Sequence, residues 1–308
     1  MEIDKKPPPW KLRKKDFNKQ GIYTTQKRRY LLYFQYLRIS PSYLMATQCQ
    51  SEAELSDLLK DPEKAKQVWK TKNDMGNVYK ALFRGWWLKR GLNLFGVHAE
   101  QPKTQTIARI GPVYSDFSET DVHQAYDNFY SGDYNEQGKP DSIVVSIPLS
   151  LKSTTTIKQL KQLIAEAKSQ TPVTHPKTIY RLETNKLQER RLLTGLRLVL
   201  IRTARPKHEL WRIAAMAKIS RSHQGIQADA NKKDSKNAEG RRILTIMASR
   251  LLHDTLVIAE NAAMGVFPST KPTSIDHFDA LELQKILKRT HKWENERQKQ
   301  LLESQKTK

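Results

Sequence analysis

LQERRLLTGLRLVLIR, residues 187–202, repeats its apolar side chains at helical spacing and threads arginines between them. Leu192, Leu193, Leu196, Val199 and Leu200, with Leu182 and Leu187 ahead of them, form one broad apolar face. A period near 3.6 predicts an amphipathic helix, because a strand would alternate every second residue. Arg190, Arg191, Arg197 and Arg202 lie within the same stretch. This helix is therefore expected to bury one face in a core and to carry cations as well.

The same period recurs on both sides. Upstream, Tyr30, Tyr33, Phe34 and Leu37 stand at i, i+3, i+4 and i+7, and Val78, Tyr79, Leu82, Phe83, Trp86 and Trp87 follow later. Ser40-Pro41, Ser51 with Glu54, and Asp61-Pro62 read as helix starts. A short polar side chain can accept the first free N–H groups there, and proline lacks the donor that this position leaves unused. Aromatics at this spacing predict core packing. Their basic neighbours Arg28, Arg29, Arg38, Arg84, Lys89 and Arg90 leave stacking on unpaired bases as the alternative. Downstream, Ile243, Met247, Leu251, Ile258 and Ala262 continue a helical stripe that stops at Gly265 and Pro268.

The expected fold class is therefore mainly α, with two helical domains joined by an acidic linker region that contains a short strand-bearing segment. The boundaries read as a flexible basic arm at 1–20, an aromatic-rich helical domain at 21–110, the acidic linker with a small strand and helix at 111–180, a basic helical domain at 181–268, and a charged tail, helical in part, at 269–308. The arm holds Pro7, Pro8 and Pro9 before a basic run, and polyproline geometry and self-repelling charge oppose packing there. In the linker, Asp116, Glu119, Asp121, Asp127, Asp133, Glu136 and Asp141 face only Lys139. Residues 143–147, IVVSI, are β-branched and stopped by Pro148, which predicts a strand. A helix bearing Ile157, Leu160, Leu163 and Ile164 follows.

The chain carries 54 Lys and Arg against 32 Asp and Glu, a net charge of +22 over 308 residues. An excess of this size points to a polyanionic partner, since lysine and arginine drive binding by displacing condensed counterions. The charge is segregated: a basic arm and a basic C-terminal helical unit flank the acidic stretch. Cys49 is the single cysteine, which leaves no intramolecular disulfide and no cysteine-based zinc site. No apolar run approaches the ~20 residues of a membrane span. The opening MEIDKKPPPW lacks the apolar stretch of a secretory signal. A cytoplasmic protein is expected, nucleoid-associated if bacterial, with no membrane partner.

Ala214-Ala215-Met216-Ala217-Lys218-Ile219-Ser220-Arg221-Ser222-His223 resembles the centre of a helix-turn-helix, within residues 207–228. The resemblance implies that Ala214 or Ala215 lets two helices cross closely and that Ile219 plugs the core. It further implies a recognition helix near 220–228 whose Ser220, Arg221, Ser222, His223 and Gln224 meet base edges in the major groove. Phosphate contacts would then come from Lys11, Arg13, Lys14 and Lys15 on the arm. In the second helical unit they would come from Lys207, Arg212, Lys218, Lys232, Lys233, Lys236, Arg241 and Arg242. Three departures stand out. Lys218 occupies the turn position where the family favours glycine, Gly225 falls inside the proposed recognition helix, and Gln224 sits where an apolar anchor is usual.

No phosphate-cradling P-loop, dinucleotide fingerprint or G-x-S-x-G elbow occurs, and HELWR at 208–212 is not the H-E-x-x-H of zinc proteases. No catalytic residue, metal site or cofactor is assigned. The expectation is a sequence-preferring double-stranded-DNA-binding protein, a transcriptional regulator acting without catalysis. A symmetric homodimer is expected, and the acidic segment or the C-terminal tail could serve a protein partner. The alternatives are an accessory DNA-binding factor of a mobile genetic element, a metal-dependent nuclease using the acids of 116–141, and an RNA or single-strand binder using the N-terminal aromatics.

Overall fold

The computed structural model describes residues 8–25, 27–110, 119–170, 177–183, 188–223, 225–226, 237–275 and 278–306. In chain order its elements are β1 (Asn18–Lys19), β2 (Ile22–Tyr23), α1 (Arg29–Leu37), α2 (Pro41–Gln48), α3 (Glu52–Leu59), α4 (Pro62–Met75), α5 (Phe83–Trp86) and α6 (Leu92–Phe95). Then come α7 (Glu119–Ser131), α8 (Asp133–Glu136), α9 (Ser153–Gln170), α10 (Glu189–Ala204), α11 (Leu210–Ala217), α12 (Ala238–Ala263) and α13 (Ala280–Lys306). The protein is mainly α, as its periodicity predicts. Among the described residues, no helix is long and apolar enough to cross a membrane.

Three helix starts form as the sequence dictates. The side chains of Ser40, Ser51 and Asp61 accept hydrogen bonds from the backbone N–H of Tyr43, Glu54 and Lys64, and Pro41 and Pro62 open α2 and α4. Each cap satisfies a donor that the helix itself leaves unpaired.

The chain divides into two compact units, 1–16 with 25–95 and 180–308, and 17–24 with 96–179. The first unit takes in most of what periodicity alone divides into separate aromatic-rich and basic helical domains. The reason lies in α1, which buries Tyr30, Leu32, Tyr33, Phe34, Tyr36 and Leu37 and so is apolar around most of its circumference. A helix of that kind must be covered on several sides. Tyr33 Oη donates to the carbonyl of Ala262 and Tyr36 Oη to that of Leu192, each at 2.9 Å, which fastens α1 to α12 and α10. Burial pushes both hydroxyls above the ordinary tyrosine pKa, so they remain neutral donors. Trp86, Trp87 and Phe95 complete the aromatic core, and Trp86 and Trp87 donate their indole N–H groups to the carbonyls of Met75 and Asp16.

The arm expected to be flexible is held over its described residues. Asp16 is buried, pairs with Arg84 at 2.7 Å, and accepts the backbone N–H of Arg13. Arg84 also donates to the carbonyl of Pro9. Near the other end of the unit, α13 is docked: it buries Leu283 and Thr290, and Glu294 receives Arg38 at 2.7 Å.

In the second unit, β1 and β2 form an antiparallel hairpin with Asn18 opposite Tyr23 and Lys19 opposite Ile22. The strand expected at 143–147 is not paired: among the described residues no ladder includes it, and Val144 stays 67% exposed. β-Branched composition favours extended backbone but supplies no neighbouring strand to bond. The acidic stretch expected as a linker carries helices α7 and α8, with Tyr126, Tyr130 and Tyr134 stacked in sequence along them.

Candidate nucleic-acid interface

The first unit gathers α10, α11 and α12 around one apolar cluster. Leu198 comes from α10, Trp211, Ile213, Ala214 and Ala217 from α11, and Leu244 and Ala248 from α12, with Ile226 from the loop between the last two. Two small contacts set the spacing. Ala214 is fully buried, and Gly195 on α10 lies so close to Thr255 on α12 that an added Cβ would collide with Thr255 Oγ1. Helix axes approach closely only where side chains are this small.

α11 ends at Lys218, which takes left-handed backbone angles (φ 54°, ψ 48°) and returns its N–H to the carbonyls of Ala214 and Ala215. Lysine thus takes here a left-handed conformation that glycine adopts more readily. Ile219 follows and packs against the cluster. Of the recognition helix expected near 220–228, residues 224, 227 and 228 lie outside the described residues. Residues 221–223 and 225–226 are turns and bends. Ser220 Oγ lies 3.0 Å from His223 Nδ1 and 3.2 Å from Ser222 Oγ, and Ile226 N–H returns to the carbonyl of His223. Short polar side chains that bond their own neighbourhood compete with helix formation, and Gly225 weakens a helix further. Gly240 on α12 leaves room for this turn, since a Cβ there would strike Ile226 Cδ1 at 2.5 Å.

The predicted contact residues therefore separate. Arg221 and Ser222 are exposed at the turn, whereas Ser220 is buried and His223 half-buried, so neither of the latter two presents freely to a base edge. Gln224, Lys232, Lys233 and Lys236 lie outside the described residues. Lys11, Lys14, Lys15, Lys207, Lys218 and Arg242 are exposed, and Arg242 lies 3.6 Å from Glu239. Arg13 is half-buried. Two expected phosphate contacts are built into the scaffold instead. Arg241 is buried with its guanidinium 5.7 Å from the Trp211 ring centroid, and Arg212 lies over the same ring at 4.4 Å with Glu209 at 3.8 Å. Each cation spends its charge on an aromatic face.

A different set of cations converges along α10. A groove of about 930 Å³ is lined by Arg28, Arg190, Arg197 and Lys218, with Glu189 among them, over a floor that includes Leu193, Leu196 and Leu200. A second depression of about 460 Å³ lies beside it, with Arg190, Arg191 and Arg250 around Ile219, Met247 and Leu251. The two share Arg190 and Thr194, and the chain leaves α11 between them, with Lys218 lining one and Ile219 the other. Arg191 is paired with Asp254 at 2.7 Å. Arg28, Arg190, Arg197, Lys218 and Arg250 have no ion-pair partner among the described residues. The sequence carried a signal for part of this set: Arg190 and Arg197 are seven residues apart, two helical turns, and so share a face. Arg28 reaches the groove only through the tertiary docking of α1, which periodicity does not show.

Among the described residues, no group of three or more His, Cys, Asp or Glu side chains could hold a metal ion. Asp133 is occupied by Gln105 at 2.9 Å. The N-terminal aromatics, the stacking platform of the single-strand alternative, are core: Tyr30, Tyr33, Phe34, Tyr36, Trp86 and Trp87 are all buried. No family model, curated protein or solved structure matches the chain.

Proposed function

We propose that this protein binds double-stranded DNA through the groove along α10 and acts as a transcriptional regulator, without catalysis. The observation that carries the reading is the convergence of Arg28, Arg190, Arg197 and Lys218 on one groove in which, among the described residues, Glu189 is the single carboxylate. Four cations against one carboxylate leave an excess of positive charge that is costly to hold and is relieved by a polyanion. Arg221 and Ser222, exposed beside the left-handed turn, are the proposed readers of base edges, since arginine can pair with guanine in the major groove. A symmetric dimer would double a footprint that one such turn leaves short.

The test is binding to duplex DNA measured against salt. Replacing Arg190 and Arg197 together by alanine is expected to reduce the slope of log affinity against log salt by about 2, on any sequence. Arg221→Ala is expected to weaken a motif selected from random duplexes more than random DNA. An Arg190/Arg197 variant with wild-type slope would remove the groove from the interface. Equal losses on both DNAs for Arg221→Ala would remove the readout role. A palindromic selected motif would report the dimer.

A further inference from the structure

We infer that the outer face of α13 is a second phosphate-contacting surface for the same duplex, continuing from the end of the α10 groove; this rests on the DNA-binding reading above. Lys285, Lys288, Arg289 and Lys292 stand at i, i+3, i+4 and i+7 and are all exposed, opposite the face that buries Leu283 and Thr290. None has an ion-pair partner among the described residues. Glu282 and Glu296 flank the stripe, one turn before Lys285 and one turn after Lys292, but like charges at i, i+3 and i, i+4 still repel along its middle, and an anion lying over it relieves that repulsion. The link to the groove is direct. Gln284 Nε2 donates at 3.0 Å to the carbonyl of Ala204, which itself lines the groove, and Lys288 stands one helical turn beyond Gln284.

The commitment to phosphate follows from the residue types. The stripe holds three lysines and one arginine with no aromatic among them, so it offers mobile point charges to a backbone and no platform for bases. From Lys285 to Lys292 the helix rises about 10 Å, enough to reach more than one phosphate of a strand. α13 would therefore add affinity and salt dependence and no sequence preference.

The experiment compares three sets of substitutions in the full-length chain by duplex-binding titrations over salt, with folding checked by circular dichroism. In the first, Lys285, Lys288, Arg289 and Lys292 are all changed to glutamine. In the second, the same is done to Lys60, Lys66, Lys70 and Lys80, which are exposed elsewhere on the unit and remove equal charge. The third is the Arg190/Arg197 alanine pair. The α13 set is expected to flatten the salt slope by about 2–4. The control set should lower affinity slightly and leave the slope near wild type, because slope counts contacts and long-range charge does not contribute one. An α13 set with the same slope as the control overturns the inference and leaves the groove reading standing. Wild-type slope in the groove pair and the α13 set together overturns both.

Discussion

Glu260, with no solvent exposure, receives Lys64 Nζ at 2.6 Å, so α12 and α4 are joined by an ion pair inside the core. The pair is not left to itself. Ser40 Oγ donates to Glu260 Oε1 at 2.7 Å, Ser42 donates to both carboxylate oxygens through its N–H and its hydroxyl, and Lys64 also donates to the carbonyl of Ser274 at 2.8 Å. A buried charge is tolerable only when its remaining lone pairs and protons are taken up in this way. The carboxylate also faces the N-terminal turn of α2, where the helix presents unpaired N–H groups.

Removing one partner should therefore cost far more than a surface pair. Glu260→Ala is expected to lower unfolding free energy by about 3–5 kcal/mol, because it leaves the buried Lys64 ammonium without its counter-charge. Lys64→Met together with Glu260→Met is expected to recover much of that loss. Urea denaturation midpoints measure both, and a Glu260→Ala midpoint equal to wild type would show that the cluster does not hold α2, α4 and α12 together.

The pair of Asp16 and Arg84 gives stability a pH dependence. The hydrogen bond from Arg84 lowers the Asp16 pKa below the ordinary carboxylate value, against the opposing effect of burial, and Arg84 is raised in turn. A carboxylate depressed in the folded state contributes stability that is present above its unfolded value of about 3.9 and is lost as pH falls through the folded value. Asp16→Asn is expected to cost about 1.5–3 kcal/mol at neutral pH, the range of a hydrogen bond to a charged group. That difference from wild type should shrink steadily below about pH 4. A difference that stays constant between neutral pH and acid would rule out this titration.

Helix identity was legible where the residues carry local causes. Ser40, Ser51 and Asp61 cap the helices they were expected to cap, because capping is decided within four residues. The fastening of α1 to α12 and α10 was not legible, since it depends on Tyr33 reaching Ala262 and Tyr36 reaching Leu192 across more than 150 residues. The site was partly legible for the same reason. Lys218 was marked by the turn it makes and Arg190 and Arg197 by their spacing. Arg241 and Arg212 look like any basic residue in sequence, and only the position of Trp211 turns them into scaffold.

Gly195 on α10 packs directly against Thr255 on α12. Gly195→Ala should gain helix propensity locally, yet the new methyl would collide with Thr255, whose hydroxyl is engaged with the carbonyl of Leu251 and whose β-branched side chain is stiff. Overpacking of this kind costs about 1–3 kcal/mol, more than the ~1 kcal/mol that alanine gains over glycine in a helix. A lower melting temperature is the expected result. The double change Gly195→Ala with Thr255→Ala should be less destabilised than the single one, because it removes the hydroxyl that the new methyl strikes.

Lys218 carries two opposed consequences at one position, and a single substitution separates them. Its left-handed backbone costs energy for any residue with a Cβ, and glycine is free of that strain. Lys218→Gly is therefore expected to raise stability by about 0.5–1 kcal/mol, the strain released less the extra chain entropy of glycine in the unfolded state. The same change removes a cation that lines the α10 groove, so the salt slope of duplex binding should flatten by about 1. Higher melting temperature with weaker, less salt-dependent binding is the expected pair of results. Lys218→Asn, which tolerates the left-handed region better than lysine, should move both quantities the same way with a smaller gain in stability. A protein that is stabilised but binds DNA with unchanged slope would place the contact surface elsewhere than this end of the groove.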